Sequence, residues 1–298
     1  MPRSFSSDSE MNQKVKNQKR AAKSIFVSQN FVDWLKWFMC LPEVELSIET
    51  WAKELVQRPS ERIDYCHSNA WTKLNSETQK YLNKKGEENV TSFLSFSLFV
   101  DWFNPLGNKL SGKQISLGIL ALTCLNLPPS LRYKTKYTYL AGVIPAPNQP
   151  NTTTISNVLK PLVDNLLNLY RTVNIKTFQF PNGQKINVRL GALLGDIIAT
   201  HKTAGFLSHS ANAFCSWCTT TKANIDKMQI KRPQDQYSTK AVSYQIKETR
   251  TITERESLAR KVGIRWSELN CLPYWDPVKS VVLGVLHNWY EGILQHHF

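Results

Sequence analysis

Asp101 and Asp196 are the residues whose types and placement point most directly to chemistry. Asp101 stands near the end of a run, Phe93 to Phe103, in which aromatic and β-branched residues alternate with serine. The run stops at Asn104-Pro105, which predicts a strand. Asp196 follows a second predicted strand, Lys185 to Leu194, that opens after the turn signal Phe180-Pro181-Asn182-Gly183. Two carboxylates brought together at strand ends hold hard divalent cations through oxygen. A metal pair held this way stabilises both the attacking and the leaving oxygen of a phosphodiester displacement. Asp101 and Asp196 are therefore the expected catalytic residues and ligands of Mg²⁺ or Mn²⁺. Aspartate also caps turns at strand ends, and that reading stands beside the catalytic one. Such sites usually need a third acid, which spacing alone does not select.

Cys215 and Cys218 form a CxxC within GFLSHSANAFCSWC. Two thiols at this spacing make half of a tetrahedral zinc site, so a structural Zn²⁺ is expected, with His209 as a weaker third ligand. Near the end of the sequence, His287 and Glu291 share one helical face and His296-His297 follow, so a metal-binding helix is conceivable. The preferred reading of that stretch is an amphipathic helix, Val281 to Gln295, with Leu283, Leu286, Trp289, Tyr290 and Leu294 packed inward. No HExxH is present, which argues against a zinc hydrolase of small molecules.

The sequence has 298 residues, of which 42% are hydrophobic and 11% aromatic, enough for a substantial core. Lys plus Arg number 37 against 23 Asp plus Glu, a formal net charge of +14 that attracts polyanions and makes nucleic acid the expected partner. Basic residues are dense between Lys222 and Lys261, where they suit either phosphate contacts or a solvated helical face. No apolar run reaches the roughly 18 residues that span a bilayer, and Ile115 to Pro129 is broken by Ser116, Gly118, Thr123 and Asn126. No secretory signal is visible, and six cysteines are too few for a disulfide scaffold, so a reducing compartment without membrane insertion is expected. Lys14, Lys16, Lys19, Arg20 and Lys23 suit a nuclear-import signal or plain solvated charge.

The elements that must position these residues follow from the pattern. Residues 1–24 read as a disordered basic tail and residues 25–89 as a helical region, with Phe31, Trp34, Leu35, Phe38 and Leu41 at helical spacing and a second helix from Ser47 to Val56. A polar stretch, Asn75 to Asn89, reads as a boundary. Residues 90–220 then give three strands (Phe93 to Phe103, Leu117 to Leu127, Tyr137 to Ile144), a helix (Thr154 to Tyr170, with Pro161 inside) and the fourth strand. Residues 221–298 read as an insertion. Three antiparallel strands, a helix and a fourth strand open the ribonuclease-H-like α/β fold, in which the ends of the first and fourth strands are neighbours.

Four stretches together resemble one family: FVDWFNPLGNKLSGKQ from Phe99, LNLPPSLRYK from Leu125, GDIIATHKTAGFLSHSANAFCSWC from Gly195, and WDPVKSVVLGVLHNWYEGILQHH near the end. They are similar to the CACTA (En/Spm-like) DNA transposases, in the branch common in fungal genomes, from about Trp34 onward. The resemblance implies a ribonuclease-H-like core of the DDE kind, with Asp101 and Asp196 as first and second catalytic acids and Cys215 and Cys218 as the cysteine half of a zinc site. It implies action in the nucleus on element ends and target DNA, and at least two subunits to pair the ends. In place of the Pro-Ala that often follows the second acid, Ile197-Ile198-Ala199 stands here. The resemblance places the third acid and the histidine half of the zinc site beyond HNWYEGILQHH, so an incomplete core is expected and Glu291 is not the third acid. Cut-and-paste transposase or a truncated remnant is the leading expectation, and a non-catalytic DNA- or protein-binding derivative the alternative.

Overall fold

The computed structural model describes residues 26–57, 64–85, 92–105, 116–145, 150–151, 154–284 and 286–295. The basic tail with its import-type cluster, part of the Phe99 motif and His296-His297 lie outside the described residues. The fold is mixed α/β, built on a seven-stranded mixed sheet.

In chain order the strands are β1 (Val27–Ser28), β2 (Ser92–Phe103), β3 (Leu117–Cys124), β4 (Thr138–Ile144), β5 (Val173–Ile175), β6 (Gln184–Gly195) and β7 (Val281–Leu283). They lie in the order β1-β4-β3-β2-β6-β5, with β7 also on β6. β2, β3 and β4 form an antiparallel meander, whereas β2 with β6 and β6 with β7 run parallel. β3 alternates between half-buried and buried residues, with Leu120, Leu122 and Cys124 turned into the core. β6 is buried along nearly its whole length, as a central strand covered on both faces must be.

The helices are α1 (Phe31–Met39), α2 (Pro42–Gln57), α3 (Asn69–Lys85), α4 (Ile155–Tyr170), α5 (Ile197–Ala204), α6 (Gln236–Glu248) and α7 (Ile252–Val262). Asn30 caps α1 by accepting from the Val32 and Asp33 backbone N–H groups. Phe31, Leu35 and Phe38 of α1 enter the same core as the sheet, where the Phe31 ring meets Phe96 edge-on at 5.2 Å and Tyr139 at 4.8 Å. Glu45 of α2 is buried and fully engaged: its carboxylate accepts from Thr177 Oγ1 (2.8 Å), Gln184 Nε2 (2.7 Å) and Gln179 N (2.8 Å). The helical region and the sheet are thus joined by both apolar and polar contacts.

Two expectations change. The polar stretch from Asn75 begins inside α3, which continues to Lys85; no Gly or Pro interrupts the run from Asn75 to Lys85, and Leu74 is buried. Residues 86–89 of that stretch lie outside the described residues. The Val281 to Gln295 helix divides: Val281–Leu283 pairs with β6 as a strand, and helical winding, of the wide π type, covers Leu286–Leu294 only. The β-branched pair Val281-Val282 and the break at Gly284 favour the strand. Among the described residues no helix is long and apolar enough to cross a membrane.

Candidate functional site

The parallel pairing of β2 with β6 sets the register of the strands that lead to the two aspartates. From Ser92↔Ile186 to Phe96↔Leu190 the strands keep one register; at Gly191 β6 carries an extra residue, and pairing resumes as Ser97↔Ala192 through Phe99↔Leu194. Continued two residues further, this register sets Asp101 level with Asp196. Without the bulge Asp101 would face Gly195 instead. Glycine is required at the bulge because a Cβ on Gly191 would stand 2.5 Å from Ser95 Oγ and 2.7 Å from the Tyr65 hydroxyl oxygen. Gly195 serves the same end: a Cβ there would lie 2.5 Å from the Val100 carbonyl oxygen and push β6 away from β2 beside the two acids.

Asp101 and Asp196 are each half-buried. Asp101 Oδ1 accepts from the Trp102 backbone N–H at 2.7 Å. Asp196 Oδ1 accepts from the Ala199 N–H at 2.5 Å and so caps α5. The capping reading of Asp196 is thus realised in the structure, and it occupies one carboxylate oxygen. Oδ2 of each aspartate accepts no hydrogen bond among the described residues. Two accessible carboxylates, each with an uncommitted oxygen, are a donor set that fits a hard divalent cation. The site sits at the carboxyl ends of adjacent parallel strands, where ligands bind in open α/β sheets.

Two neighbours escaped the sequence reading. Lys202 of α5 lies over the Trp102 ring, its Nζ 4.5 Å from the centroid. Burial pushes the Lys202 ammonium below its ordinary pKa, and nearby Asp196 pulls it back up. The Trp102 indole approaches Gly118 of β3 so closely that a Cβ there would stand 2.7 Å from Nε1. No local pattern in the sequence marks Lys202 out. Lys202 thus lies against an aromatic ring and within the field of Asp196.

The CxxC lies beyond α5, where Gly205 (φ +85°) ends the helix. Cys215 Sγ and Cys218 Sγ are 3.5 Å apart, near the roughly 3.7 Å expected for two sulfurs on one tetrahedral zinc with bonds of about 2.3 Å. Cys218 Sγ also hydrogen-bonds with Thr220 Oγ1 at 3.1 Å, and Gln234 Nε2 donates to the Cys215 carbonyl at 2.7 Å. Burial pushes the Cys215 thiol up. Burial also opposes the Cys218 thiolate, but hydrogen bonds to the Thr220 side chain and backbone outweigh it and carry that thiol down. A cavity of about 370 Å³ opens beside the pair, lined by Thr220, Arg232, Asp235 and Lys261 among others.

The two thiols fit half of a zinc site. Among the described residues no group of three or more His, Cys, Asp or Glu side chains is placed to hold a metal. His209 is exposed, and its electrostatic influence falls on buried His201. His287 and Glu291 fall within the helical Leu286–Leu294 segment, but their side chains lie outside the described residues.

No curated protein matches the chain. A family model described as transposase family tnp2 matches residues 64–246. That span runs from Asp64, whose carboxylate is buried against Arg132, through both aspartates and both cysteines to the end of α6. With more than half of its length matched, the chain belongs to the tnp2 family of transposases.

Proposed function

We propose that the chain provides the DNA-cutting face of a CACTA-type transposase of the fungal branch, on a ribonuclease-H-like sheet, with Asp101 and Asp196 as two acids of a DDE site. The observation that supports this reading is the one-residue bulge at Gly191, after which the register, continued past Phe99↔Leu194, runs Asp101 level with Asp196. The strand order β4-β3-β2-β6-β7, antiparallel over its first three strands and parallel over its last three, supports the ribonuclease-H-like assignment.

In this reading Asp101 and Asp196 would hold the cation, with the backbone N–H bonds to their Oδ1 atoms fixing both carboxylates. Mg²⁺ or Mn²⁺ bound there supplies charge stabilisation to the attacking and leaving oxygens of the phosphodiester. Lys202, next to Asp196 and braced by Trp102, offers a positive charge to a phosphate at the site. The reaction class is hydrolysis at the element end, freeing a 3′ hydroxyl that then attacks target DNA. Cys215 and Cys218 contribute two ligands to a structural zinc. Action on chromosomal DNA places the protein in the nucleus, and pairing two element ends calls for more than one subunit.

The test is Mn²⁺ binding, followed by electron paramagnetic resonance, together with nicking of a plasmid carrying the element's ends. Asp101→Asn and Asp196→Asn should each weaken Mn²⁺ binding at least tenfold and abolish any nicking. Wild-type Mn²⁺ affinity in both variants would remove the acid pair from the mechanism.

A further inference from the structure

Between Trp217 and Gln234 the chain makes an excursion that is tied firmly at its base. Thr219 N donates to the Arg232 carbonyl (2.9 Å), Gln234 N to the Trp217 carbonyl (2.9 Å), Lys231 N to Thr220 Oγ1 (3.0 Å) and Lys222 N to the Asn212 carbonyl (2.7 Å). Cys218 and Pro233 form an antiparallel bridge across the same base. The tip, by contrast, presents apolar side chains to solvent: Met228 is 89% exposed and Ile230 87%. Met228 also stands at φ +51°, a left-handed conformation that L side chains adopt at an energetic cost, and it closes the single-turn helix Lys222–Lys227. A firm base that holds a strained, exposed methionine at its tip is a poor solution for folding alone and a good one for insertion into a partner.

The charge around the tip says what that partner is. Lys222, Lys227, Lys231 and Arg232, within six residues of Met228 in sequence, are all exposed on the same lobe. On the acidic side Asp226 is exposed, and Asp235 is engaged in capping α6 through the Tyr237 and Ser238 N–H groups. Apolar side chains flanked by cations are how proteins enter the DNA minor groove: the cations take phosphates and the apolar wedge unstacks a base step and bends the duplex. We infer that the Trp217–Gln234 lobe is a DNA-docking element, with Lys222, Lys227, Lys231 and Arg232 on the backbone and Met228 and Ile230 wedged in the minor groove. The inference rests on the reading of the chain as a DNA transposase and adds to it a second contact, separate from the acid pair.

The experiment measures binding of the chain to a duplex of about 30 base pairs by fluorescence anisotropy over a range of salt, and bending by energy transfer between the duplex ends. Lys227→Glu with Lys231→Glu should weaken binding at least tenfold and reduce the salt slope by about two. Met228→Ala with Ile230→Ala should lower the transfer change that reports bending while leaving the salt slope intact. All four positions are exposed, so unchanged melting curves are expected and confirm that the variants fold. Wild-type affinity and slope in the lysine variant would overturn the docking element, and unchanged bending in the Met228/Ile230 variant would overturn the wedge. A shift in sedimentation of the tip variants with DNA binding intact would assign the tip to a second copy of the chain and overturn the proposal as well. If the wild-type chain itself binds no DNA, the transposase reading fails with it; if it binds and only the lobe variants are indistinguishable from it, the lobe alone is excluded.

Discussion

Replacing Asp196 by alanine and, separately, by asparagine divides the two jobs the structure gives that side chain. Its Oδ1 caps α5 through the Ala199 N–H, and alanine removes that bond and leaves the buried Ala199 donor without its partner. Losing an N-cap costs about 1 kcal/mol, and losing a negative charge at a helix N-terminus adds roughly 0.3 to 1 kcal/mol. Asp196→Ala should therefore cost about 1.5 kcal/mol, a fall in Tm of roughly 2 to 3 °C for a chain of this size. Asparagine keeps a capping oxygen and loses only the charge, so without metal Asp196→Asn should cost roughly 0.3 to 1 kcal/mol. Metal changes the comparison. At a Mg²⁺ concentration ten times the dissociation constant, the wild-type chain gains about 1.4 kcal/mol from binding and a chain without the carboxylate gains almost nothing. Thermal melts should place the asparagine variant between wild type and alanine without metal, and Mg²⁺ should widen its distance from wild type. If alanine falls well below asparagine and Mg²⁺ moves none of the three proteins, Asp196 is a cap and nothing more.

Three further outcomes follow from buried groups. Gly191→Ala drives a Cβ into Ser95 Oγ and the Tyr65 hydroxyl, so the bulge must move; Mn²⁺ affinity should fall tenfold or more while circular dichroism stays near wild type, and unchanged affinity would show that the bulge does not set the acid pair. Arg132 donates to Asp64 Oδ2 at 2.8 Å and to the Leu125 and Leu127 carbonyls, with both charged side chains almost fully buried. Arg132→Met should cost about 3 to 5 kcal/mol in urea unfolding, and adding Asp64→Leu should recover part of it, because the loss comes mainly from the stranded carboxylate. Burial lowers the pKa of His201 from its ordinary 6.5, against the hydrogen bond of Nδ1 with the Leu207 carbonyl, which raises it. As the pH falls below about 6.5 the unfolded chain takes up a proton that folded His201 resists, so its contribution to stability is present above 6.5 and lost as pH passes the lower folded value. Urea midpoints should fall across that window, and the fall should be shallower in His201→Gln.

Much of the frame around the acids could be read from residue order. The aromatic and serine alternation before Asn104-Pro105 marks β2, and the apolar run after Asn182-Gly183 marks β6, because half-buried and buried strands leave those patterns. The register between them could not be read. One extra residue at Gly191 changes which positions lie level, and a lone glycine in an apolar run looks the same whether it forms a bulge or only permits close packing. β1, β5 and β7 are two or three residues long, too short to show alternation, and they exist because partners of β4 and β6 are already in place. α3 hid behind its polarity, since its residues favour helix but resemble a linker when judged by hydrophobicity alone. Lys202 was overlooked because nothing local distinguishes a lysine that folds over an aromatic ring on another element from one in water.

The shared edge of β6 bears on how this chain can change over time. β2 occupies one side of β6, while the other side is taken first by β5, opposite Gln184 to Ile186, and last by β7, opposite Leu193 to Gly195. Everything from Asp196 to Ser280 therefore leaves the sheet and comes back to the strand it left, with Leu193 N and the Ser280 carbonyl closing the ring. The entropy of closing such a ring grows only with the logarithm of its length, so doubling it costs roughly 0.6 kcal/mol. Phe206, Ile246, Leu269, Leu272 and Trp275 of this ring pack into the core and are held there, but its exposed stretches, such as Lys222 to Arg232, can change in length with little effect on the strands beneath. The carboxylates are thus insulated from a neighbouring region in which length and composition are free to drift.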